Sequence, residues 1–569
     1  MSAAVRRPRI LYRPLVALAL LCGLLAILFR TQLLDGFRTG FGDRGDAIIA
    51  AAILEHWHNV FAGFEPWNRT LYFFPNPDTL GYNDGYLLSG LVYSAARVVF
   101  DPFLSQLLVI AAFRITSFVA CLVLLRRCVG TSFAVALIGA ACFTLANALT
   151  LQMVHEQLQA IALLPLLTIL LWRGIERAIA GRHGLARWWL GGFALLLASL
   201  FLTAFYPAYL YVLFLGIFGL AWAWAKRRDV LARWRDFDRR WAATVAVPAL
   251  LFGVAIIPFL MTYLPKVAET GQHRFKAAKR FLAQPIDWLM VGDHNLLWGW
   301  TQHPLLTAWW MLWPDGRLSR AADFNETRIG LPFLFLGLVI AALWQVRRRP
   351  VEGGAPWLRP LAVALLVSSI LMLALGPLSP WRAVRWLVPG ASGARVVARY
   401  QLVLLLPMTI IVARSFGPSF ERLASRRPVI AAMVAALLIA EQVNLAPVAA
   451  HDLTATRAAF EALPAPPRGC RSFYTVSTRP GEAMFKDPAT NAKLPHNVDA
   501  MLLSELWHVP TLSGTSTFDP PGWNLAAPLA PDYDGRVAGY ALSRGVTNSC
   551  RLDARRTLPW NFVRFVNRV

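Results

Sequence analysis

Acidic residues are scarce in this chain. Only 32 Asp and Glu stand against 56 Lys and Arg in 569 residues, and charged residues of both signs make up 15%. Soluble domains carry nearer ~25%, so a water-soluble globular protein is excluded first. With 57% of residues apolar, disorder is excluded as well, because that much apolar surface must be buried. Cysteine is rare, at 6 residues. A disulfide-dense scaffold is therefore excluded, and no CxxC or Cys/His cluster of zinc spacing occurs. Walker, Rossmann and kinase motifs are missing, which argues against ATP-driven transport. Apolar runs are almost free of Asp, Glu and Lys, with Arg114 and Glu441 the main ionisable exceptions.

What is present is long apolar sequence. A bilayer-crossing helix needs roughly 20 mostly apolar residues. About eleven such runs are predicted, at about 14–33, 103–125, 131–149, 157–173, 188–205, 207–225, 241–263, 329–346, 358–376, 400–416 and 428–446. Basic clusters fall in every second connection: Arg6 to Arg13, Arg126–Arg127, Arg173 to Arg187, Lys226 to Arg240, Arg347–Arg349 with Arg359, and Arg414 to Arg427. Basic loops stay cytoplasmic, so the net charge of +24 reads as topology, and no nucleic-acid partner is expected. The N-terminus is expected inside. The first run reads as an uncleaved anchor, since Arg30-Thr31-Gln32-Leu33-Leu34 offers no small-residue cleavage site.

This layout predicts an all-α polytopic membrane domain over 1–446 and a small α/β or mixed outer domain over 447–569. Two long outer loops span about 34–102 and 264–328. Within the first, Tyr86–Phe100 reads as an amphipathic helix on the outer membrane face. Cys470 and Cys550 are alone in the outer tail and are expected to form a disulfide, as an oxidising compartment permits.

The first outer loop carries the strongest set of candidate residues. Asp43 and Asp46 lie where the chain leaves the first run, and Asp46 opens a helix-like stretch. An acid there either caps free N–H groups or serves as general base or metal ligand. Asp84 precedes the surface helix and has the same two readings. Asp46 and Asp84 together could hold a divalent metal such as Mg or Mn. His155-Glu156-Gln157 opens a later run on the outer face; Gln159 breaks any HExxH pattern. Arg274 and Lys276 in the second loop, and Arg395 and Arg399 in a shorter one at about 377–399, are basic residues stranded outside. Guanidinium groups there suit a lipid-linked phosphate, or anionic lipid heads. Trp288, Trp298, Trp300, Trp309, Trp310 and Trp313 fit an interfacial helix first, with sugar stacking a weaker reading.

In order along the chain, GDRGDAIIAAAILEHW, FFPNPDTLGYNDG, HEQLQAIALLPL, ETRIGLPFLFLGL, LALGP and PGASGARVVARY resemble the GT-C superfamily of polytopic glycosyltransferases, in an uncharacterised bacterial branch. The resemblance covers about 1–446. It implies transfer of a sugar from a polyprenyl-phosphate donor to an outer acceptor across a bacterial inner membrane. It places the base or metal contact on Asp46 or Asp43, a second loop acid on Asp84, and donor-phosphate contacts on Arg395 and Arg399. The adjacent acids frequent in that family are here separated by Arg44 and Gly45. The WWDYG signature is missing, since Met311 follows Trp309-Trp310, so protein N-glycosylation is not expected. The alternatives are a flippase for lipid-linked saccharide and a non-catalytic assembly factor of envelope polysaccharide.

Overall fold

The computed structural model describes residues 8–229, 238–313, 325–348, 355–374, 378–446, 449–479 and 488–566. Among these the protein is mostly helical, with a small sheet region near the C-terminus. Among the described residues six helices are long and apolar enough to cross a membrane: Pro102–Val129, Phe133–Leu151, Glu156–Ile179, His183–Thr203, Phe205–Ala225 and Val397–Arg426. A pair bent by 50°, Arg239–Ala255 and Ile257–Thr270, makes seven if it is one span. These helices fit a multi-pass membrane protein.

The expected eleven spans are corrected by this count, and the reason is where helices stop. The run at 428–446 is helical only over Pro428–Ala440. There the chain turns, and Glu441 accepts hydrogen bonds from the amides of Leu334 (3.0 Å) and Phe335 (2.8 Å), capping the 16-residue helix Phe333–Arg348. The run at 358–376 is helical over Leu358–Leu371. Its continuation leaves the helix to pair with Ala283, whose amide donates to Met372 and whose carbonyl accepts from Ala374. The first run differs in its bounds alone: it is helical over the 21 residues Pro8–Leu28 and breaks at Phe29 before Arg30–Leu34. At 1.5 Å per residue helices of 13 and 14 residues reach only ~20–21 Å, short of a ~30 Å hydrocarbon layer.

Above the bundle, the first outer loop and the tail pack as one layer. Helix Arg44–Phe61 buries Ile48, Ala51, Ile53 and Leu54 completely, each large aliphatic contributing about 1.5–3 kcal/mol relative to exposure. Helix Pro488–Trp507 from the tail lies against it. Strand β1 (Thr39–Phe41) pairs antiparallel with β2 (Ala450–Asp452). The tail sheet joins β3 (Phe473–Ser477) parallel to β4 (Asn548–Asp553) and β4 antiparallel to β5 (Trp560–Arg564). Loop residues extend this layer: Thr511 N–H donates to Leu71, and the amides of Phe73 and Phe74 donate to Ser513 and Thr511. Cys470 and Cys550 form the expected disulfide, with Cα atoms 5.8 Å apart.

The surface helix is Leu87–Arg97. It buries Ser89, Gly90, Tyr93 and Ser94 and leaves Leu91 exposed, with Val98, Val99 and Phe100 exposed just beyond. That one-sided distribution makes the helix amphipathic.

Candidate active site between the first outer loop and the helix ends

Asp43, not Asp46, opens helix Arg44–Phe61. Its Oδ1 accepts from the amides of Gly45 (2.8 Å) and Asp46 (2.9 Å), two donors that a helix start leaves free. Burial, and then the neighbouring Asp46 charge, push the Asp43 carboxyl up. Asp46 sits in the first turn with its side chain 43% exposed, and its Oδ2 lies 2.9 Å from His155 Nδ1. The two acids thus divide the alternatives left open by the sequence: Asp43 caps, and Asp46 faces outward with a histidine partner.

His155 and its neighbours are held by the chain turning into the short helix Glu156–Leu163. Glu156 is buried, and its Oε2 accepts from Gln106 Nε2 at 2.7 Å. Gln106 also donates to the Ala47 carbonyl at 3.0 Å, so Glu156 fastens this turn to helix Arg44–Phe61. Gln157 accepts from the Tyr86 hydroxyl at 2.8 Å and bonds the Asp84 side chain.

Asp84 does not cap the surface helix, whose N-cap is Tyr86. It accepts instead from the amide of Phe205 at 3.0 Å, at the start of helix Phe205–Ala225. The same loop closes on the preceding helix end, where Tyr86 N–H donates to the Thr203 carbonyl at 2.9 Å and Leu88 N–H to Thr203 Oγ1 at 3.0 Å. Gly85 permits this approach, because a Cβ there would overlap the Leu202 carbonyl. Burial pushes the Asp84 carboxyl up, while the Phe205 amide and the Arg399 charge oppose that rise.

Arg399 is buried, with its guanidinium 5.1 Å from the centre of the Tyr206 ring and its Nη2 3.9 Å from Glu326. Arg395 reaches the same Glu326 carboxylate at 3.0 and 3.2 Å. The pair does not share a regular helix face, since only Val397–Arg399 is helical before Tyr400. Glu326 gathers both arginines instead. Arg274 and Lys276 are exposed on and beside helix Phe275–Lys279 and make no ion pair among the described residues.

Among the described residues no trio of His, Cys, Asp or Glu with ligand atoms within 4.8 Å of one another includes Asp46 or Asp84. Asp46 Oδ2 is bonded to His155, and Asp84 is engaged by Phe205 and Gln157.

No protein-family model matches this chain, and no curated protein matches it.

Function therefore rests on the geometry. Asp46 and His155 form an outward carboxylate–imidazole pair. Asp84 lies within electrostatic reach of both His155 and Arg399, and Tyr86 within reach of Glu156, Asp84 and Asp46. Such a cluster can accept a proton at Asp46 and hold negative charge near Arg399. Sequence reading missed Glu326 and Tyr86. Tyr86 carries a positive φ of 53°, a strained conformation of the kind concentrated at functional sites. Glu326 stood inside ETRIGLPFLFLGL but showed no local pattern of its own. Of the tryptophans, Trp300, Trp310 and Trp313 are exposed on or near helix Gln302–Leu312, as an interfacial helix requires, and Trp298 donates to Glu441.

Proposed function

We propose that this protein is an integral membrane glycosyltransferase that moves a sugar from a polyprenyl-phosphate donor to an extracytoplasmic acceptor. One observation carries the reading: Asp46, His155, Gln157, Asp84 and Arg399, drawn from four separate stretches of the chain, meet where the first outer loop closes on the membrane helices. In this reading Asp46 takes the proton of the acceptor hydroxyl, and its hydrogen bond to His155 fixes its orientation. The acceptor oxygen bonds to the anomeric carbon as the carbon–oxygen bond to phosphate breaks. The phosphate leaves with its charge facing Arg399, with inversion at the sugar. Glu326 pairs with Arg395 and lies 3.9 Å from Arg399, so the donor phosphate takes that carboxylate's place at the arginines. The basic cluster Arg6 to Arg13 ahead of the first apolar run supports a cytoplasmic N-terminus, and the Cys470–Cys550 disulfide supports an oxidising, outer location for the tail.

A transporter would need a polar path through the bundle, and its two sequence cues are otherwise engaged. Arg114 donates to the Thr144 carbonyl and to Gln159, and Glu441 caps helix Phe333–Arg348. The test is transfer of labelled sugar by membranes containing the protein, using a panel of polyprenyl-phosphate sugars. Arg399→Gln is expected to lower turnover by about 10-fold or more with membrane levels maintained, as loss of one charge-stabilising group does. Unaltered turnover would remove Arg399 from the mechanism.

A further inference from the structure

A second buried cluster lies at the far end of the same helix, away from Asp46. His56, Glu65 and Glu505 bring one ring nitrogen and two carboxylates together, with ligand atoms all within 4.8 Å of one another. His56 and Glu505 are wholly buried, and the Glu65 side chain is 3% exposed. Glu505 comes from the tail helix Pro488–Trp507; the other two come from the first outer loop.

The hydrogen bonds around this cluster orient it inward. His56 Nε2 lies 3.1 Å from the Trp67 carbonyl. A carbonyl only accepts, so Nε2 carries the hydrogen, and in the neutral ring Nδ1 presents a lone pair. Nδ1 and Glu65 Oε2 lie 2.7 Å apart, a hydrogen bond whose proton a cation binding both atoms would displace. A ring hydrogen donated outward to a backbone carbonyl is the arrangement that fixes a metal-binding imidazole. Asn59 Nδ2 donates to Glu65 Oε1 (2.8 Å) and to the Glu505 carbonyl (3.0 Å), and the Leu71 amide donates to Glu505 Oε1 (3.0 Å). Glu505 Oε2 takes a 3.4 Å contact from Asn59, and the Glu65 and Glu505 carboxyls are bonded to one another.

Charge points the same way. Among the described residues neither glutamate pairs with an arginine or lysine. Two carboxylates buried side by side need a cation or a proton to offset their charge. We propose that His56, Glu65 and Glu505 bind one divalent transition-metal cation, of the zinc or manganese type, that clamps the tail onto the first outer loop. One nitrogen and two oxygen ligands suit those ions better than calcium or magnesium. The site stands apart from the Asp46 cluster and does not depend on the proposed transfer reaction.

The test uses the full-length, tag-free protein in detergent, stripped with chelator, exposed to micromolar Zn2+ or Mn2+ and then desalted. Elemental analysis is expected to find about one ion per chain, with a higher Tm that chelator reverses, since metal bound only by the folded state stabilises it. Glu505→Gln and His56→Gln are expected to lower retention at least about 10-fold, while Asp46→Asn retains the ion. Should those variants fail to fold, the wild-type titration decides alone. A wild type that retains no ion and shows no Tm change would overturn the proposal and leave a proton shared between the glutamates. So would equal retention by the variants.

Discussion

Asp46 has the one carboxylate of the cluster that is both half-exposed and paired with a histidine, and a base must reach its substrate proton to work. Asp43, three residues earlier, spends its Oδ1 on two amides. Asp43→Asn can still accept those bonds and is expected to retain most activity; Asp46→Asn is expected to retain almost none. A transfer assay on the two variants side by side checks this, and the reverse order would exchange their roles. Gly85 lies beneath the site. Gly85→Ala must push the Leu202 backbone aside, an overpacking that costs about 1–3 kcal/mol. Thermal unfolding should show the loss, and an unchanged Tm would mean the loop closes differently on Thr203. Asp46, Asp84, His155 and Arg399 were legible in the sequence, because ionisable residues between apolar runs break the charge pattern around them. Glu326 was not, because its meaning lies in two arginines about 70 positions away that only the fold brings to it.

At the scale of elements, the tail helix Pro488–Trp507 holds helix Arg44–Phe61 by buried charge. Asp499 accepts from Arg44 at 2.7 and 2.9 Å and from Arg479 at 2.6 Å, and both guanidinium groups lie over Phe460. Removing one partner leaves buried charge uncompensated, so Asp499→Asn is expected to destabilise by about 3–5 kcal/mol, read from denaturant unfolding. A loss below about 1 kcal/mol would class this network with surface pairs. The other end of the helix pair has a pH signature. Burial, and then the Glu65 charge, hold the Glu505 carboxyl well above the usual carboxylate range. The folded state then keeps a proton that the unfolded chain releases near pH ~4.3. Stability from that group is present at low pH and is lost as pH rises from that value toward the folded one. Metal-stripped protein is therefore expected to have a lower Tm at about pH 8 than at about pH 5.5, and Glu505→Gln to flatten the difference. A Tm that rises with pH and is unaffected by the substitution would contradict the assignment. None of this was visible in the sequence, since Arg44 and Asp499, like His56 and Glu505, are separated by more than 400 residues.

Across the whole molecule, composition gave the membrane class and its helices, and stopped short at their number. Hydropathy registers apolar sequence wherever it lies; it does not register that Glu441 turns back to cap a neighbouring helix, or that Leu373 leaves a helix to pair with Ala283. The tail read as a separate small domain because its composition differs. In the structure it shares strand pairing, a helix interface and buried ion pairs with the first outer loop, so the proposed catalytic turn rests on a layer built from both ends of the chain. The central claim is that this junction transfers sugar with Asp46 as base. Its most direct test is release of polyprenyl phosphate by purified full-length protein in nanodiscs, supplied with polyprenyl-phosphate sugars and an envelope-glycan acceptor. Release by the wild type, lowered about 100-fold or more in Asp46→Asn at unchanged Tm, is the expected result for loss of a general base. Equal release by the two proteins would contradict it.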